Sequence, residues 1–235
     1  MFQLGIGAIL HCGPAEKLAE LFLDGLIVVD GAALHERLWE ELETRMHVVF
    51  LNNFDVRPNQ YAICSDHFNA GYLAAKHFIS RGRRKLGFLG GSGGMIFAEA
   101  LKGFRQAIIN TNISYDERLF ILCQVENNHL TPLARFIRDG VDSIYVPGAD
   151  FQAMECLHNL SYVMGVKIPQ QIALIGGEND NVSCLQNPPL TTIKEPLFEM
   201  ANQAAIMMDS LTGGNHPDNT RVMLPVRLIE RDSVG

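Results

Sequence analysis

The sequence predicts an α/β protein in which parallel sheets are covered by helices on both faces and divided between two lobes. Three observations predict this. Short apolar, β-branched runs alternate with longer amphipathic ones almost from end to end, the rhythm of βαβ units with right-handed crossovers. The 235 residues are 47% hydrophobic and 19% charged, ordinary for a folded chain with a real core. That many units overfill one doubly wound sheet, so two lobes are the natural division.

In chain order, residues 26–29 read as a buried strand with Asp30-Gly31 as its turn, 34–45 as a helix and 47–51 as a second strand. A short strand at 61–64 leads to Asp66, whose side chain can cap a helix that runs to Arg81 and stops at Gly82. A strand over 85–89, a glycine loop over 90–94 and a helix over 95–110 follow. Further strands are expected at 119–123, 143–146 and 172–175, with helices at 130–139 and 151–165 between them. Residues 190–193 form an apolar strand between Pro188-Pro189 and Pro196, which fix φ and refuse ladder hydrogen bonds. A helix over 197–211 and one closing strand over 222–229 complete the pattern, ahead of Glu230-Arg231-Asp232-Ser233.

Nineteen basic against twenty-six acidic residues give a net charge of −7, which provides no global attraction for polyanions. The cluster Arg81, Arg83, Arg84 and Lys85 is the local exception, and a solvated helix end accounts for it. Five scattered cysteines without a C-x-x-C pair suggest neither a disulfide framework nor a zinc site, and favour a reducing cytoplasm. The first residues lack a secretory pattern, and no apolar run approaches the roughly 20 residues of a membrane span.

With this rhythm in place, several motifs resemble the LacI-type (LacI/GalR family) transcriptional regulators. Asp24-Gly25-Leu26-Ile27-Val28 is similar to that family's "DGliv" strand. Ser65-Asp66-His67-Phe68-Asn69-Ala70-Gly71, with His77-Phe78-Ile79 and Gly82 to Leu86, resembles "vDN..gg…HLi..GHrrI". Leu101-Lys102-Gly103-Phe104 resembles "RlaGF", and the run from Gly165 to Gly176 resembles "G..vP.DvaviGfdd". Pro188-Pro189-Leu190-Thr191-Thr192 and the Glu230 to Ser233 end complete the ordered set.

The resemblance implies a periplasmic-binding-protein-like fold of two lobes joined by crossover strands, one of them the PPLTT strand. Residues 1–82 with 194–221 would form one lobe, and 83–193 with 222–235 the other. It also implies a homodimer that senses a small molecule between the lobes and binds operator DNA through an N-terminal helix-turn-helix. That domain, and the first strand and helix of the first lobe, have no counterpart among residues 1–235.

The expected effector-binding residues sit where parallel strands turn into helices. Asp66 and Asn69 occupy one such turn, where Asp66 is equally read as an N-cap and Asn69 as a solvated first-turn residue. Asp150 follows the 143–146 strand and matches the family's effector-binding aspartate, whose carboxylate accepts two hydroxyl hydrogen bonds. Asn127, Glu178, Asn179 and Glu195 match further ligand-facing positions, and His129 reads as an exposed loop histidine. Where the family carries an arginine that grips the effector, this chain has Ala100. The missing guanidinium favours a neutral sugar, polyol or nucleoside over an anion.

Gly90 to Gly94 lacks the endings of a P-loop or a dinucleotide fingerprint. No nucleophile elbow, H-E-x-x-H or metal-spaced cluster argues for an enzyme, a cofactor or a metal. The rival readings are a solute-binding protein of a sugar transporter and a nucleoside- or sugar-processing α/β enzyme.

Overall fold

The computed structural model describes residues 22–29, 36–52, 59–92, 94–111, 113, 115–123, 129–148, 150–177 and 182–235. In chain order the elements are β1 (Gly25–Val29), α1 (Glu36–Glu43), β2 (His47–Leu51), β3 (Tyr61–Ser65), α2 (His67–Ser80), β4 (Leu86–Gly91), α3 (Met95–Ile109) and β5 (Phe120–Cys123). There follow α4 (Leu130–Arg138), β6 (Ser143–Val146), α5 (Asp150–His158), β7 (Ala173–Gly177), β8 (Thr191–Lys194), α6 (Leu197–Thr212), β9 (Arg221–Leu224) and β10 (Arg227–Ile229). The α/β reading holds, and the chain packs as two compact units. One is Met1–Ser65 with Leu197–Leu224; the other is Asp66–Pro196 with Pro225–Gly235.

The first unit is a parallel sheet of order β1-β2-β3-β9. Side chains alternate between its two faces, as the period of a strand requires. Val48, Phe50 and Ala62 pack with Leu42 and Met46, while Val49 and Ile63 pack with Met200, Ala204, Met207, Met208 and Leu211. Both faces are therefore covered, which explains why β2 reads as an uninterrupted apolar run.

The second unit is a six-stranded sheet of order β10-β8-β7-β6-β4-β5, parallel except at the β10 edge. Again each strand feeds two cores. Tyr145 and Ile175 pack with Phe78 and Phe104 on one face; Ile144 and Leu174 pack with Phe136 and Leu157 on the other. Helices α2 and α3 meet backbone to backbone. A Cβ on Gly71 would stand 1.8 Å from the Ala100 carbonyl oxygen, and one on Gly103 would stand 1.8 Å from that of Phe68.

This close pairing sets α2 in the second unit. The division of packing falls at Ser65/Asp66, whereas the sequence suggests Gly82 as the crossing. Gly82 does end the helix, with φ +82. Two further expectations are corrected. Residues 222–229 form two strands instead of one, because Pro225 has no N–H to continue a ladder. β9 pairs parallel to β3 in the first unit, and β10 pairs antiparallel to β8 in the second. The PPLTT strand also lies wholly within the second unit's sheet, and the chain passes to the first unit only after Pro196.

The two terminal motifs are one clasp. The Arg231 N–H donates to the Thr191 hydroxyl at 2.9 Å, and the Arg231 guanidinium donates to the Leu190 carbonyl at 2.7 Å. The Ser233 hydroxyl accepts from the Thr191 N–H at 2.8 Å and donates to the Leu174 carbonyl at 2.6 Å. Every one of these polar atoms is buried or half-buried, so each bond spares a desolvation cost of about 1–3 kcal/mol. Thr191 and Ser233 are thereby explained by structure without a ligand.

Candidate functional site

Open parallel sheets take their ligands outside the carboxyl ends of the strands, at the point where strand order reverses. In the second unit the chain runs outward from β4 to β5 and then returns to lay β6 on the other side of β4. The reversal therefore lies between β4 and β6.

Glycine builds the strand ends there. Gly91 closes β4, Gly148 follows β6 and Gly177 closes β7. A Cβ on Gly177 would stand 1.8 Å from the Gly148 carbonyl oxygen, and one on Gly91 would stand 2.5 Å from the Phe97 ring. Gly148 has φ +93, a conformation few other residues tolerate, and its Cβ would also reach that ring at 3.0 Å. The half-buried Phe97, from the first turn of α3, thus occupies the space that larger side chains at these ends would need.

Two helices begin at the same edge. α3 starts behind Gly94, which has φ +89 and supplies no capping side chain. α5 starts at Asp150. First-turn N–H groups have no partner within their own helix and can donate to ligand oxygens.

The side chains gathered near this edge are acidic. Glu195 follows the carboxyl end of β8 and is half-buried. Asp66 caps α2, accepting the Asn69 N–H at 2.8 Å, and both residues are half-buried. Between them His67 is 8% exposed. Burial lowers the His67 pKa, opposed by the nearby carboxylates of Glu195, Asp66 and Glu99. Glu99 in turn holds Lys102 at 2.5 Å. The fully buried Tyr145 phenol is pushed up, first by burial and then by the charge of Glu195.

Of the residues expected from the sequence, Asp66 and Glu195 both act on His67, Asn69 gives its backbone N–H to Asp66, and Asp150 opens α5. Asn127, Glu178 and Asn179 lie outside the described residues. His129 is corrected: it is 3% exposed, and its Nδ1 lies 3.1 Å from the Glu155 carboxylate, tying the start of α4 to α5. Sequence reasoning missed His67, Glu99 and Phe97. His67 adjoins a recognisable N-cap, but Phe97 carries no signal beyond its place two residues into a helix.

Ala100, where an effector-gripping arginine was sought, is 1% exposed within the core. Among the described residues no three His, Cys, Asp or Glu side chains come together as a metal ion requires. Also among these residues, no helix is long and apolar enough to cross a membrane.

The profile of the periplasmic binding protein-like domain matches residues 75–234, well over half of the chain. The HTH-type transcriptional regulator DegA of Bacillus subtilis is 25% identical over 220 residues, covering 91% of this chain and 64% of that protein. The HTH-type transcriptional repressor PurR of Photobacterium profundum is 29% identical over 224 residues, covering 92% of this chain and 66% of that one. The chain thus spans just under two thirds of these regulators. Among solved structures, a LacI family transcriptional regulator from Enterococcus faecium with bound ribose superposes with a TM-score of 0.82 at 23% identity, covering 92% of this chain and 82% of that one.

Proposed function

The chain belongs to the periplasmic binding protein-like domain family, and on that premise we propose that it is the effector-binding core of a LacI-type transcriptional regulator. Its ligand is a small neutral polyhydroxylated molecule (a sugar, polyol or nucleoside) bound at the carboxyl edge of the second unit's sheet. The observation that carries the reading is the strand-order reversal between β4 and β6, with glycine strand ends and two helix starts beside it. Curated regulators that match over more than nine tenths of the chain support the regulatory role.

The chemistry of the edge favours a neutral ligand. The carboxylates of Asp66 and Glu195 would repel an added anion. Carboxylates accept hydroxyl hydrogen bonds and helix-start N–H groups donate to ligand oxygens, which together satisfy an alternating pattern of donors and acceptors. We assign Asp150, Glu195, Asp66, Asn69, Asn127, Glu178 and Asn179 as the acceptors and donors that contact the ligand. The Enterococcus faecium regulator of the same fold, solved with bound ribose, supports a small polyhydroxylated ligand.

Ligand binding would shift the population of a homodimer between states that differ in affinity for operator DNA, read through a helix-turn-helix outside residues 1–235.

A thermal-shift screen against neutral sugars, polyols, nucleosides and sugar phosphates tests the reading. A ligand at a hundred times its Kd stabilises by about 2.7 kcal/mol. A neutral ligand should raise Tm by several degrees, and Asp150→Ala should abolish the rise. A preference for sugar phosphates, or a shift unchanged in Asp150→Ala, would overturn it.

A further inference from the structure

At the opposite edge of the same sheet lies a cavity of about 460 Å³, within the range of small-molecule sites. It sits where the chain enters β4 and where α3 connects to β5. β4 has six residues; at about 3.3 Å per residue, roughly 20 Å separate it from the glycine strand ends. Leu86, Ile108, Ile113 and Leu119 form its apolar wall, and Arg84, Lys85, Tyr115 and Asp116 stand with them.

The wall is held from behind. The Tyr115 ring stacks on Phe120 with centroids 5.7 Å apart and planes 10° from parallel. The Arg105 guanidinium lies 5.6 Å over the same Phe120 ring and pairs with Glu117 at 2.6 Å. Such stacked and paired groups lose little freedom when a ligand arrives.

The charges divide unequally. Asp116 is already satisfied: Arg118 donates to it from Nη2 at 2.6 Å, from Nε at 2.9 Å and from the backbone N–H at 2.9 Å. These bonds hold its carboxyl at about 2, so it is an anion compensated in place. Arg84 gives Nη1 to the carbonyls of Ile79 and Arg83 at 3.2 and 2.8 Å, which leaves other guanidinium donors for a ligand. Lys85 is exposed and, among the described residues, forms no ion pair. Arg81 and Arg83, by contrast, are engaged with the chain end: Arg81 donates to Gly235 at 2.8 Å and Arg83 to Val234 at 3.0 Å. Of the basic cluster, Arg84 and Lys85 alone face this cavity.

We propose that this cavity binds an amphipathic monoanion, a small alkyl or aryl carboxylate. Its apolar body seats against Leu86, Ile108, Ile113 and Leu119, and its carboxylate is held by Arg84 and Lys85. The mostly apolar lining, of Leu86, Ile108, Ile113 and Leu119, favours a ligand with one charged end and an apolar body over a phosphate, which has no apolar body. The site is independent of the carboxyl-edge site and of its ligand.

Calorimetric titration of the 235-residue chain with 4-phenylbutyrate, and with the neutral 4-phenylbutanol as control, tests this. The acid should bind saturably, about tenfold more tightly than the alcohol, and more weakly as salt rises. Arg84→Gln with Lys85→Gln should weaken the acid about tenfold and leave the alcohol unchanged; Lys85→Gln alone, at an exposed side chain, gives the same test if the double variant melts early. Asp150→Ala should have no effect on the acid. No saturable binding up to about 10 mM, equal binding of acid and alcohol, or indifference to Lys85→Gln would each overturn the proposal.

Discussion

The two edges of the second unit's sheet are made by the same strands and differ in nearly every chemical respect. At the carboxyl edge the backbone itself is the surface: Gly91, Gly148 and Gly177 bring main chain against main chain and against Phe97. The charges there are Asp66, Glu99 and Glu195 around a buried His67. At the amino edge, side chains form an apolar cavity charged by Arg84 and Lys85, with Asp116 there bonded to Arg118. In a protein with a net charge of −7, that basic edge is a local inversion. One sheet thus carries the proposed site for neutral hydroxyls at one end and the proposed site for an apolar anion at the other. The lesson is that strand polarity sorts chemistry: helix starts and tight turns fall on one side, helix ends and longer connections on the other.

The largest effect should come from a methyl group at the carboxyl edge. Gly177→Ala would drive a Cβ to within 1.8 Å of the Gly148 carbonyl oxygen, which neither backbone can escape cheaply. Urea denaturation should report a loss of about 3 kcal/mol or more. A loss under about 1 kcal/mol would mean that this edge is not built on backbone contact.

Acid should act on the same edge next. His67 has its pKa lowered by burial, so the folded state keeps it neutral. Below its ordinary value of about 6.5 the unfolded chain takes up the proton first, and stability falls as pH drops toward the folded pKa. Buried His77 acts in the same direction, its pKa lowered by desolvation and further by Arg81, against Glu230. The slope from one such group is at most about 1.4 kcal/mol per pH unit. His67→Gln should flatten the stability profile below about pH 6.5; an unchanged profile would remove His67 from the account.

The smallest effect belongs to the amino side. Gly140 has φ +69, yet the nearest atom to an added Cβ is the Lys85 Nζ, 4.0 Å away. Gly140→Ala should therefore cost only the backbone strain, about 1 kcal/mol. A cost matching that of Gly177→Ala would erase the contrast between the edges.

Much of this was legible in the sequence, for identifiable reasons. Strands buried on both faces announce themselves as short apolar runs, as His47–Leu51 and Ser143–Val146 do. Asp66 and Gly82 punctuate α2 as capping chemistry requires. What escaped depends on contacts distant in sequence. The assignment of α2 to the second unit rests on Gly71 meeting Ala100 and Gly103 meeting Phe68, which no local pattern shows. Pro225 was visible, but that it divides one apolar run between two sheets follows only from pairing. His129 looked like a loop residue because its partner, Glu155, lies 26 positions away. At the site, Asp66 and Asn69 were read from their place at a strand-to-helix turn and Glu195 from the family resemblance, whereas His67 and Phe97 become notable only once the fold sets them beside the acids and the glycines.

The most direct measurement is amide hydrogen exchange on the chain with and without the strongest neutral ligand from the thermal-shift screen. Binding at the carboxyl edge predicts slowed exchange at Gly91, Ser92, Gly148, Phe151 and Glu195, with residues 84–86 and 115–119 unchanged. Protection confined to residues 84–86 and 115–119, or absent from the glycine strand ends, would contradict the account.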